Sequence, residues 1–160
     1  LDNKRIISKF KKGKIIYFDD GKLSFRVSKV SNQDVEITAI NSGTLKSRKG
    51  IHIPGLSHNQ KNISNKDKKF ISFAKKNKID FIGLSFIEND NQIKKIKKYL
   101  NSDYPKVISK IENKEGLKNL KKILPLSDGI LIDRGDLSVE TGLENLSINQ
   151  KKLYLHQDYF

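Results

Sequence analysis

Three short apolar runs, Asp80 to Phe86, Val107 to Ile111 and Gly129 to Ile132, alternate with stretches whose apolar residues recur at helical spacing. No other feature constrains the fold as strongly, because strand–helix–strand order implies a parallel sheet, open or closed into a barrel. Ser64-Asn65-Lys66-Asp67 has the form of a capping box with Asp in place of Glu, and Phe70, Phe73 and Ala74 follow at helical spacing. Asp90 is placed to cap a second helix with Ile93, Ile96 and Leu100 on its inner stripe. A third helix carries Leu117, Leu120 and Leu124, and Asn149 to His156 is expected to be helical. A complete eight-stranded α/β barrel takes roughly 250 residues. With 160 residues and three such strands, this α/β part is either an unusual small fold or a piece of a barrel.

The preceding residues follow a different pattern. Lys14 to Phe18 is a short apolar run ended by Asp19-Asp20-Gly21, a tight-turn sequence. Lys22 to Val30 alternates, with Leu23, Phe25 and Val27 on one face, and Asp34 to Asn41 alternates again through Val35, Ile37 and Ala39. A basic strand is expected from Leu45 to Ile53. Short strands at this spacing predict a small antiparallel barrel or sandwich. Pro54-Gly55 is the clearest boundary, dividing a β domain at 1–55 from an α/β domain at 56–160.

Composition narrows the function classes. No apolar run reaches the roughly 20 residues of a membrane span, and Leu1 opens no signal-peptide pattern but suggests a missing beginning. The chain has no cysteine, which excludes disulfides and thiolate ligands and fits a reducing compartment. The net charge of +14 suits anionic partners, yet lysines occupy every segment, the pattern of a solvated surface built on lysine.

Chemistry concentrates in Lys106-Val107-Ile108-Ser109-Lys110-Ile111-Glu112-Asn113. Strand side chains alternate, so Lys110 and Glu112 face the same way. Asp136 follows the next apolar strand, in Asp133-Arg134-Gly135-Asp136. In α/β barrels functional residues sit at such C-terminal strand ends. Mg²⁺ takes one or two carboxylates plus substrate oxygens, which Glu112 and Asp136 can supply. Lys110 can neutralise a phosphoryl or enolate oxygen, and Gly135 lets an anion approach the backbone. An ordinary salt bridge from Lys110 to either acid explains the same spacing.

The segment Ser109-Lys110-Ile111-Glu112-Asn113, with Glu115-Gly116 behind it, resembles the catalytic strand of the pyruvate kinase family. Ser127-Asp128-Gly129-Ile130 through Arg134-Gly135-Asp136-Leu137, then Val139-Glu140, resembles that family's metal-binding segment. Asp19-Asp20-Gly21, Lys49-Gly50, Pro54-Gly55, Lys66-Asp67, Asp80-Phe81 and Ser85-Phe86 fall in the same order, so the resemblance runs from about Lys14 to Lys152.

The resemblance implies an α/β fold: an incomplete TIM-type (β/α) barrel preceded by a small all-β lid domain. It implies phosphoryl transfer between phosphoenolpyruvate and ADP, giving pyruvate and ATP in glycolysis. Lys110 is then the catalytic lysine, and Lys110, Gly135 and Asp136 contact substrate. Glu112 and Asp136 hold Mg²⁺ or Mn²⁺, and Lys49 contacts the nucleotide. The family also implies K⁺, a homotetramer and a cytoplasmic or organellar enzyme, but the K⁺-binding Asn-Phe-Ser-His segment has no counterpart in this chain.

Three positions depart from the family. Asp133 replaces a small alanine and adds an acid near the metal, repelling phosphoenolpyruvate unless it points away or pairs with a lysine. Ser138 replaces a glycine, a strain if the position needs positive φ. Glu88 replaces a basic residue. With several barrel strands missing, the isolated chain is expected not to catalyse efficiently and to expose strand edges. Competing readings are a Mg²⁺-dependent pyruvate-enolate aldolase or lyase barrel, a noncatalytic relative, and a basic β module gripping nucleic acid through Phe10, Tyr17, Phe18 and Phe25. No membrane partner is expected.

Overall fold

A computed structural model of the chain describes residues 4–57 and 63–154. It divides into two compact units, 1–56 and 57–160. Each has its own sheet, the first antiparallel and the second parallel, so the protein is mixed α/β. Among the described residues no helix is long and apolar enough to cross a membrane.

In the first unit, strands β1 (Ile15–Phe18), β2 (Leu23–Val30), β3 (Val35–Ala39) and β4 (Ile51–His52) pair in the order β3-β2-β1-β4. The described strands form this one open sheet in place of the expected barrel or sandwich. Asp19, Asp20 and Gly21 turn β1 into β2 with φ of 52°, 55° and 86°. Aspartate and glycine tolerate this left-handed region better than most residues. The alternation in β2 sends Leu23 and Val27 inward, where Val27 packs with Ile16 and Phe10. Phe18 and Phe25 meet edge to face at 5.1 Å beside this core. Three of the aromatics considered for nucleic-acid stacking are therefore spent on packing.

The basic strand expected from Leu45 to Ile53 is reduced to two residues. Residues 45–49 are all exposed and Arg48 is left-handed at φ 60°, so the stretch has no face to bury and Arg48 breaks any extended run. Only Ile51 and His52 pair with β1, opposite Phe18 and Tyr17.

In the second unit, β5 (Phe81–Leu84), β6 (Lys106–Ile111) and β7 (Gly129–Ile132) are parallel, in the order β5-β6-β7. Helix α1 (Asn65–Lys76) precedes them, and α2 (Asp90–Leu100) connects β5 to β6. Short helices α3 (Lys114–Lys118) and α4 (Leu120–Ile123) connect β6 to β7. After β7 come α5 (Arg134–Thr141) and α6 (Leu146–Tyr154); the end of the helix expected to reach His156 lies outside the described residues. Ile93, Leu100, Val107, Ile111, Leu120, Ile123 and Leu124 form the core. On β6, Val107, Ser109 and Ile111 are buried and Ile108 and Lys110 half-buried, as the period of two demands. Buried Ser109 is satisfied by Ser127 Oγ at 2.7 Å.

The capping box of α1 forms as read: Ser64 Oγ accepts the Asp67 N–H at 3.1 Å, and the Asp67 carboxylate accepts the Ser64 N–H at 3.3 Å. The inner stripe of α1 is Ile71 with Ala74, whereas Phe70 and Phe73 are about 60% exposed. The cap of α2 is Asn89, not Asp90: Asn89 Oδ1 accepts the Gln92 N–H at 3.3 Å, and Gln92 Oε1 accepts the Asn89 N–H at 3.1 Å. Asp90 instead pairs with Lys94 one turn on, at 2.6 Å. Either residue type caps well, and the reciprocal glutamine three positions on decides for Asn89.

Asp19 and Asp90 are held below the ordinary carboxyl value of 3.8 by hydrogen bonds from Lys49 and Lys94. Burial pushes Asp128 upward, but the Val107 N–H, Lys97 and Lys106 together outweigh it and lower this group too. A depressed folded value stabilises the fold above the unfolded value and ceases to do so as pH falls through the folded one. Unfolding midpoints in urea are therefore expected to hold steady down to about pH 3.8 and to drop below it. A midpoint unchanged between pH 6 and pH 3 would contradict the ion pairs of these three aspartates.

Candidate functional site

The site gathers where β6 and β7 end. Glu112, the residue after β6, is 1% exposed. Its Oε1 accepts a hydrogen bond from Lys110 Nζ at 2.6 Å, and its Oε2 accepts the backbone N–H of Phe86 just beyond β5. Phe86 takes φ 53°, which a phenylalanine seldom adopts without support. The support is local: the next residue, Ile87, donates its N–H to the Lys110 carbonyl at 3.3 Å. The end of β5 is thus bent so that its backbone serves a carboxylate on β6.

After β7, the Asp133 N–H donates to the Ile111 carbonyl at 3.3 Å and the Asp133 side chain caps α5. Asp133 Oδ1 accepts the Asp136 N–H at 3.5 Å, while Oδ2 lies 3.4 Å from Lys110 Nζ. Asp136 and Gly135 stand in the first turn of α5. Ligand oxygens of Glu112, Asp133 and Asp136 lie within 4.8 Å of one another. A Cβ on Gly135 would lie 3.4 Å from Asp133 Oδ1, so glycine keeps the backbone beside this carboxylate uncovered.

The hydrogen bond to Glu112 raises Lys110 above its ordinary value; burial pulls the other way, and the Glu112 and Asp133 charges add to the rise. Lys110 is therefore a full cation at neutral pH. Three carboxylates around one ammonium offer hard oxygen donors of the kind that hold Mg²⁺ or Mn²⁺. A cation beside them suits an anionic ligand.

The sequence-read residues Lys110, Glu112, Gly135 and Asp136 come together here. Lys49 belongs to the antiparallel unit, where its Nζ lies 2.7 Å from Asp19 Oδ1. That bond raises Lys49 and lowers Asp19. The three departures are resolved locally. Asp133 pairs with Lys110. Ser138 is helical in α5, so no left-handed backbone is required, and its Oγ donates to the Gly135 carbonyl at 2.8 Å.

Glu88 is buried at 4% exposure. It accepts from Ser57 Oγ at 2.6 Å and from Asn113 Nδ2 at 3.2 Å. Asn113 in turn caps α3 by accepting the Gly116 N–H at 2.9 Å. The Phe86 N–H and the Glu88–Asn113 pair escaped sequence reasoning, since neither a backbone donor nor a cross-strand contact leaves a spacing pattern. The Ser85-Phe86 and Asn113 positions in the recognised segments were the only signals.

The family model described as pyruvate kinase, barrel domain, matches residues 1–158. The chain is similar to the pyruvate kinase of Candida albicans, 38% identical over 96% of this chain and 31% of that protein. It is similar to the pyruvate kinase of Clostridium perfringens, at 34% identity over 96% of this chain and 33% of that protein. It is also similar to pyruvate kinase 1 of Saccharomyces cerevisiae, at 36% identity over 96% of this chain and 31% of that protein. It therefore spans about a third of the length of the curated relatives it matches. The family match over nearly every residue and the separate alignments agree: the chain belongs to the pyruvate kinase family.

Proposed function

We propose that these residues supply the acidic centre, part of the (β/α) barrel and part of the β lid of a pyruvate kinase, which transfers a phosphoryl group between phosphoenolpyruvate and ADP to give pyruvate and ATP. The observation that carries this reading is the Lys110–Glu112 contact at 2.6 Å, with Asp136 in the same cluster, in a chain of this family.

The donor set fits a divalent ion: Glu112 and Asp136 would hold Mg²⁺ or Mn²⁺, which when bound polarises substrate oxygens and neutralises their charge. Lys110, held charged by its neighbours, places an ammonium beside the oxygen on which charge develops. The backbone at Gly135 and the first turn of α5 receive the anionic end of the substrate. Lys49, on the lid, meets the nucleotide phosphates after exchanging Asp19 for them. A homotetramer and a cytoplasmic or organellar setting belong to the same proposal.

The test is a chimera in which residues 1–158 replace the matching segment of the Saccharomyces cerevisiae enzyme. ATP formation from phosphoenolpyruvate and ADP is expected, and Lys110→Met is expected to lower kcat by about a thousandfold or more. A chimera that folds and binds Mn²⁺ without Lys110-dependent turnover would end the reading. The isolated 160-residue chain is expected to form no pyruvate above background in a lactate-dehydrogenase-coupled assay. Lys110-dependent turnover by that chain alone would overturn this expectation.

A further inference from the structure

We propose that Asp133 acts as a third carboxylate of the divalent-cation centre, and that its pairing with Lys110 shifts this centre towards holding a cation at the expense of an anion. The proposal rests on the metal reading given above and concerns a residue outside the pair assigned there.

Glu112 is nearly inaccessible, and both of its oxygens already accept hydrogen bonds, from Lys110 and from the Phe86 N–H. A lone pair remains on each oxygen, but little solvent-facing surface does. The Asp133 side chain is 35% exposed, so it opens the same cluster to solvent. Its ligand oxygen lies within 4.8 Å of those of Glu112 and Asp136. Capping α5 occupies only its Oδ1, and that contact is long at 3.5 Å, leaving Oδ2 with Lys110.

Charge counting gives the functional consequence. Three carboxylates against one ammonium leave two negative charges in excess, which one divalent cation balances. Without Asp133, the same ion would leave the centre with one positive charge to attract an anion. With it, the loaded centre is neutral, and Lys110 is shared between Glu112 and Asp133 before any anion arrives. Affinity of oxygen sites for divalent ions rises with the number of charged ligands, and anion affinity falls with the same charges.

Asp133→Asn separates this role from a structural one, because asparagine caps a helix as well as aspartate does. Mn²⁺ is the probe, followed by the electron paramagnetic resonance of the free ion during titration of the 160-residue chain. Asp133→Asn is expected to weaken Mn²⁺ by about tenfold or more with unchanged far-ultraviolet circular dichroism. At saturating Mn²⁺, inorganic phosphate is expected to bind more tightly to Asp133→Asn than to wild type, read as broadening of its ³¹P resonance. Mn²⁺ affinity within about twofold of wild type, or no gain in phosphate binding, would overturn the proposal. Loss of Mn²⁺ on Glu112→Gln but not on Asp133→Asn would remove Asp133 alone and leave the metal reading standing. A wild-type chain that takes up no Mn²⁺ would remove both.

Discussion

Replacing Lys110 with methionine is expected to destabilise the parallel unit by about 3 kcal/mol. Methionine keeps most of the apolar stem that packs beside β6, so the loss isolates the charge. Glu112 would remain 1% exposed, with Asp133 and Asp136 close by and no ammonium at 2.6 Å. Breaking a buried pair by removing one partner costs about 3–5 kcal/mol, because the remaining charge stays desolvated. The lower end applies here, since the Phe86 N–H still reaches Glu112 and the Lys110 side chain was itself 25% exposed. Urea unfolding at pH 7 measures the effect, and Mn²⁺ added to the variant should recover part of it by binding only the folded state. A loss below about 1 kcal/mol would mean that Glu112 does not depend on Lys110 for its charge balance.

Gly116→Val should cost a similar amount for a steric reason. A Cβ at position 116 would lie 2.5 Å from the Ile87 carbonyl oxygen, with Ile111 Cγ2 at 3.4 Å and Asn113 Oδ1 at 3.5 Å. Helix propensity favours a side chain over glycine by up to about 1 kcal/mol, but displacing a backbone carbonyl in a packed core costs about 1–3 kcal/mol and more for a branched residue. The clash wins. Ile87 follows Phe86, whose N–H holds Glu112, so the strain should reach the acidic centre. Gly116→Val is thus expected to lower both the thermal midpoint and the Mn²⁺ affinity, with Gly116→Ala between it and wild type. A Gly116→Val chain with a wild-type midpoint by circular dichroism would show that the Ile87 segment yields freely.

Legibility in the sequence followed the range of each interaction. Strands β5, β6 and β7 stand at their apolar runs, because those runs supply Ile82, Leu84, Val107, Ile111, Ile130 and Ile132 to the core they share with Ile93 of α2 and Ile123 of α4. Ser64 with Asp67 is legible because both partners of a capping box lie within four residues. The segment 45–49 misled, since Leu45 is its one apolar residue and a single apolar position is no evidence of a face to bury. Phe70 and Phe73 misled for the opposite reason: their spacing fits a helix stripe, yet α1 turns Ile71 and Ala74 inward. Periodicity shows that a stripe exists and not which of two adjacent stripes meets the core.

The acidic centre divides along the same line. Lys110 and Glu112 share a strand face because side chains alternate along any strand, so the sequence by itself determined that they point the same way. The sequence also determined the family, through separated segments in one order. Only the tertiary structure decided that Asp133 meets Lys110, that Glu88 is buried against Ser57 and Asn113, and that the Phe86 backbone turns to serve Glu112. Those contacts join residues 23 to 31 positions apart on separate strands and loops. Their geometry follows from strand order and register, which packing of the whole sheet settles and no local pattern encodes.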